Sequence, residues 1–232
     1  MTPPTSSARS TLPQLLLLLS ATTGLVDAAS VLGLGKVFTA NMTGNVVFLG
    51  FAAAGTPGFK VLPAVLALLA FMVGAWGAGG LARRHVDRTL RRWLIWAAVI
   101  EAGLLWIAAA ISTRIDVAAQ APELAVLSVI VLTGFAMGLR NATVRSLKVP
   151  DLTTTVLTLT ITGIAADMTG RVSPNFARRL GAVLSIFLGA ALGATLLLHV
   201  GLAVPLILAG AMVLGATLLF ARDPASAVPH RV

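Results

Sequence analysis

Along this chain, long runs of hydrocarbon side chains alternate with short clusters of Lys and Arg. Eight apolar segments can be marked, at about 12–34, 37–54, 61–82, 93–113, 122–139, 151–166, 180–199 and 201–221. A run of about 18 or more apolar residues reads as a membrane span, since roughly 20 helical residues cover the hydrocarbon of a bilayer. Six of the eight are nearly pure hydrocarbon. The second, "VFTANMTGNVVFLGFAAA", and the sixth, "DLTTTVLTLTITGIAA", are short and rich in hydroxyls or amides. Each follows a break, at Gly33 and Gly35 in one case and at Pro150 in the other.

Composition agrees. Hydrophobic residues make up 57% of the chain and charged residues 11%. No polar stretch is long enough for a soluble module, so residues 1–232 read as a single membrane domain. The net charge of +9 does not point to nucleic acid, because the basic residues gather in loops and form no separate face. The apolar run after Arg9 continues past any plausible cleavage site and is read as a retained span, not a signal peptide. There is no Cys, which excludes disulfides, thiol nucleophiles and Cys-ligated metal.

The loop charges decide how many segments cross. If all eight cross, eight of the 17 Lys and Arg residues fall on one side and nine on the other, with no bias. If the second and sixth enter and leave on the same side, 14 lie with the N-terminus and only Lys36, Lys60 and Arg114 lie opposite. Positive charge favours the cytoplasmic side. The expected fold is therefore an all-α polytopic membrane protein with six full crossings and two short polar re-entrant or broken helices. Both termini are expected in the cytoplasm.

This topology makes the halves, 12–113 and 122–222, an inverted repeat. "GLVDA" at 24–28 matches "GLRNA" at 138–142, an offset of 114. "TANMTGN" at 39–45 matches "TTVLTLT" at 154–160, an offset of 115. Broken helices in inverted repeats characterise many secondary transporters, with sites near the midplane.

The candidate binding residues are Asp27, Asn41, Thr43, Gly44 and Asn45 in the first half, and Asn141, Thr154, Thr155 and Thr158 in the second. A lone ionised carboxylate at membrane depth costs about 2.5–3.5 kcal/mol. Asp27 therefore either couples to a cation or contacts substrate, or else caps the next helical piece or bonds the Gly33–Gly35 turn. Asn41 and Asn45 share a helical face, and two amides within one turn favour a site. The scattered Thr residues fit packing and backbone bonding better. Glu101 sits mid-span and needs a partner on another helix, Arg140, Asn141 or a hydroxyl; it reads equally as a functional, coupling carboxylate or as structural glue between helices. Arg140 ends the fifth segment, and snorkelling to the cytoplasmic interface is the favoured reading over an anion site. Gly74 with Ala78, and Gly189 with Gly193, are small-residue patterns for close helix packing.

No catalytic motif is present, and the three His lie at segment ends or in the tail. No enzyme, metal site or cofactor is expected.

"GLVDAASVLGLGKVFTANMTGN" and "GLRNATVRSLKVPDLTTTVLTLTITGIAAD" resemble the two signatures of the YoaK-like bacterial membrane proteins, a family of unknown function also called DUF1275. The resemblance covers essentially the whole chain. It implies a multi-pass protein of the bacterial inner membrane. It puts family weight on Gly24, Asp27, Ala28, Thr43, Gly44 and Asn45. Two positions depart from the family pattern: Arg140 stands where a Gln commonly precedes Asn-Ala, and Thr158-Leu159 where a Thr-Gly pair is common.

The function expected from topology is a small secondary transporter of a small solute or ion. Its midplane site would be formed by the two polar broken segments. A passive channel and a non-transporting scaffold are the alternatives. The expected partners are the bilayer and that solute, and a homodimer stays open because so short a chain has little room for a large cavity.

Overall fold

The computed structural model describes residues 11–84, 89–147, 157–167 and 176–227. Among these it is all-helical: α1 (Leu12–Gly33), α2 (Met42–Ala53), α3 (Val61–Arg84), α4 (Leu90–Ser112), α5 (Glu123–Ser146), α6 (Leu157–Asp167), α7 (Phe176–His199) and α8 (Ala203–Phe220), then a 3-10 turn at Pro224–Ala227. Six of them, α1, α3, α4, α5, α7 and α8, are long and apolar enough to cross a membrane. With 12 and 11 residues, α2 and α6 reach only about 18 and 16 Å, roughly half the hydrocarbon thickness.

Several helices outrun the apolar windows read from the sequence. α5 continues through Arg140 to Ser146, and α7 begins at Phe176, ahead of Arg178 and Arg179. Arg is a good helix former, so hydropathy falls before the helix ends. The second segment is shorter than its apolar window: Val37–Asn41 is not helical, and α2 starts at Met42.

Contacts distinguish the two ends of the bundle. At one end, the Thr11 amide and hydroxyl both donate to Asp223 Oδ2 at 2.7 Å, tying the start of α1 to the end of α8. Leu15, Ala82, Leu90, Leu147, Ala182 and Phe220 gather near them. At the other end, the Gln120 side-chain amide donates to the Gly33 carbonyl at 3.1 Å, and Leu202 packs with Leu34. So α1, α4 and α7 run one way, and α3, α5 and α8 run the other.

The packing is reciprocal. α1 lies against α7 and α8, α5 lies against α3 and α4, and α4 meets α8. The short α2 sits on α3, and α6 sits on α7. Where α1 crosses α7, a Cβ at Gly24 would strike the Ile186 carbonyl and one at Gly189 would strike the Ala21 carbonyl. Where α5 crosses α3, a Cβ at Gly138 would strike the Phe71 carbonyl and one at Gly74 the Phe135 carbonyl. Only glycine permits this approach of backbone to backbone. Gly24 and Gly138 are 114 apart, as are Ala21 and Phe135; Phe71 and Ile186 are 115 apart, as are Gly74 and Gly189. The same two offsets emerged from the short polar matches in the sequence.

Candidate functional site

The deepest polar group is built from three helices. Arg140 on α5 and Glu101 on α4 form an ion pair through Nη2 and Oε1, with side chains only 2% and 4% exposed. Arg140 Nη1 donates to the α1 carbonyl of Leu19 at 3.1 Å and to the hydroxyls of Thr22 at 2.6 Å and Thr23 at 3.3 Å. Those two hydroxyls donate in turn to the Leu19 carbonyl, at 2.8 and 3.0 Å, which holds their oxygens toward the guanidinium. A bundle of apolar helices can carry such a pair only if the charges are paired and hydrogen-bonded.

Arg140 therefore does not snorkel to an interface. α5 extends past it by six residues to Ser146, which brings it well inside the bundle, where α1 and α4 supply its partners. Beside it lies a cavity of about 20 Å³, room for about one water, lined by Glu101, Arg140, Thr143 and Thr217 among leucines and alanines. Arg140 Nε and Thr143 Oγ1 are buried there with no hydrogen-bond partner among the described residues. The residue 114 positions before Arg140 is Val26, buried and apolar. The ionic centre therefore breaks the reciprocity of the halves.

The first broken segment forms a second polar cluster. Asp27 Oδ1 accepts the Ala40 amide at 2.9 Å. The carboxylate thus satisfies a backbone donor where the chain leaves α1 and enters α2. Asn45 is fully buried: its Oδ1 accepts the Phe38 amide at 2.8 Å and its Nδ2 donates to the Phe38 carbonyl at 2.6 Å. A single side chain replaces both strand-like bonds of Phe38. Asn41 caps α2, its Oδ1 accepting the Gly44 amide at 3.3 Å. Gly44 leaves space for the Phe38 ring, which a Cβ would approach to 2.6 Å. Phe38, Phe48, Phe51 and Phe59 then stack around α2, with Lys36 Nζ 4.9 Å from the Phe59 ring.

The candidate residues separate into distinct places. Asp27, Asn41, Gly44 and Asn45 come together at the α1–α2 break. Thr43 is exposed on α2, and Thr158 is exposed on α6. Asn141 is partly buried on α5 beside Arg140. Thr154 and Thr155 lie outside the described residues. Among the described residues α2 and α6 do not pack closely on each other, each lying on its own long helix. Thr22, Thr23, Thr143 and Thr217 were not singled out in the sequence. The adjacent Thr22-Thr23 pair mid-span was the available signal.

A model of the family described as a protein of unknown function (DUF1275) matches residues 15–219. The chain belongs to the DUF1275 family. It is 33% identical over 157 residues to the UPF0700 transmembrane protein YoaK of Bacillus subtilis (strain 168), covering 68% of this chain and 67% of that one. No solved structure matches. This DUF1275 member is thus a multi-pass membrane protein with six candidate spans.

Proposed function

We propose that this DUF1275 protein is a small secondary transporter of a small solute or ion in the bacterial inner membrane, built as two inverted halves. The observation that carries this reading is the reciprocal glycine register: Gly24 and Gly189 between α1 and α7, Gly138 and Gly74 between α5 and α3. Equivalent helices of the two halves run in opposite directions, and among the described residues each half holds three long helices and one short one. That is the architecture in which alternating access operates around a midplane site. Glu101 is the coupling carboxylate in this reading, with Arg140 as its switchable partner. Asp27 and Asn45 hold the broken segment in shape.

The first test is topology, and the absence of native Cys makes it direct. Single substitutions Thr56→Cys and Ser173→Cys are labelled in intact cells with an impermeant thiol reagent. Labelling at 56 with protection at 173 is expected. Both sites on one side would overturn the inverted arrangement. The second test uses vesicles loaded with a pH-sensitive dye and offered amino acids, small sugars and monovalent cations in turn. A saturable, solute-dependent proton flux that Glu101→Gln abolishes is expected. Flux that rises linearly with concentration favours a channel.

One observation favours a scaffold instead. The polar side chains Asp27 and Asn45 are engaged by the protein's own backbone. Absence of flux with every solute class would select that reading.

A further inference from the structure

α3 and α4 follow one another in sequence but barely touch, because each packs on α5. Between them runs a groove of about 580 Å³, lined by Trp76, Gly77, Gly80, Arg83, Ile100 and Phe135, among others. That volume is in the range of small-molecule sites. Among the described residues the lining is apolar except for the guanidinium of Arg83 at one end.

Two glycines keep the groove open, and neither is required by helix packing. A Cβ at Gly80 would meet nothing within 4 Å, and one at Gly77 would only touch the Phe135 ring, at 3.6 Å. This contrasts with Gly74, one turn away on the same helix, where a Cβ would strike backbone. The reciprocal positions on α7, 115 residues later, are Leu192 and Thr195, and the counterpart of Arg83 is Leu198. The second half therefore has bulk where the first has space, and hydrocarbon where the first has charge.

Arg83 lies at the end of the bundle where Arg91 and Arg92 begin α4, and all three are exposed. From Arg83 to Trp76 the groove follows α3 for about 10 Å toward the middle of the helix. A cationic mouth above an apolar slot between membrane-spanning helices matches one kind of occupant: a lipid with a negative headgroup and a hydrocarbon tail.

We propose that the α3–α4 groove is a binding site for one anionic phospholipid. The headgroup phosphate meets Arg83, with Arg91 and Arg92 beside it, and an acyl chain lies over Gly77 and Gly80 against Trp76 and Phe135. The site does not depend on the transport reading.

The test is thermal unfolding of the purified full chain in detergent, with added phosphatidylglycerol, phosphatidylcholine or inorganic phosphate. Phosphatidylglycerol is expected to raise the midpoint in a saturable way, with a clearly smaller rise from phosphatidylcholine and none from phosphate. Arg83→Ala is expected to weaken the phosphatidylglycerol response at least tenfold in concentration. Gly80→Leu, whose side chain enters open space, is expected to remove the response while leaving the lipid-free midpoint in place. Leu198→Ala, at the reciprocal position, is the control and keeps the full response. Equal effects of the two lipids, the same shift from phosphate alone, or a full response in both Arg83→Ala and Gly80→Leu would each overturn the proposal.

Discussion

Glu101 on α4 and Arg140 on α5 neutralise one another inside the bundle, and the hydroxyls of α1 complete the guanidinium shell. Removing one partner leaves the other charged and buried, at about 3–5 kcal/mol. Glu101→Ala and Arg140→Ala are each expected to destabilise by that amount in a reversible unfolding titration in mixed micelles. An apolar pair, Glu101→Leu with Arg140→Met, is expected to recover most of the loss. If each single variant costs less than about 1 kcal/mol, the pair is not the centre described here.

The reciprocal glycines give a sharper comparison. Gly24→Ala, Gly74→Ala, Gly138→Ala and Gly189→Ala each place a methyl against a backbone carbonyl of the facing helix. Overpacking of this kind costs about 1–3 kcal/mol. Gly103→Ala and Gly215→Ala, where a Cβ meets nothing within 4 Å, are expected to be neutral or slightly stabilising in the same assay. The four costs should fall in two matched pairs, Gly24 with Gly138 and Gly74 with Gly189. A cost confined to one half would deny their equivalence.

Asn45 serves the Phe38 backbone twice, so its variants should be graded. Asn45→Ala leaves the partly buried amide and carbonyl of Phe38 without this partner, at about 1 kcal/mol each. Asn45→Asp keeps the acceptor and loses the donor at the cost of a buried charge. Both variants should speed protease cleavage in the 36–41 stretch, measured on the protein in nanodiscs. Unchanged cleavage would mean that Asn45 does not hold the break.

Asp27→Asn keeps an acceptor for the Ala40 amide, whereas Asp27→Ala has none. The alanine variant is therefore expected to be the less stable by about 1–2 kcal/mol. If the asparagine variant proves as unstable as the alanine one, the carboxylate's charge, and not its geometry, holds the turn.

Much of this was readable in the chain itself. Hydropathy located the six long helices because each must bury about 20 residues in hydrocarbon. The small-residue pairs at Gly74 and Gly189 announced close crossings. Glu101 called for a partner, with Arg140 among the three candidates. Other features were not readable. The apolar window stops at Leu139, and nothing local says that "NATVRS" carries the helix onward, so Arg140 looked terminal. Nor can a sequence distinguish an amide that meets a solute from one that meets its own backbone. Asn45 and Asp27 have both capacities, and the turn at Phe38–Asn41 settles which bonds they make.

Consider what the glycine crossings imply for motion. At α1 against α7 and at α3 against α5, backbone meets backbone with no side chain between them to change rotamer. Each crossing leaves no room for a side chain, so each pair packs as a single close body. Both bodies combine a helix from the N-terminal half with one from the C-terminal half. Rocking of one such body against the other would run along a seam that cuts across the repeat, bridged by α4 against α8 and by the bonds of Arg140 to α1.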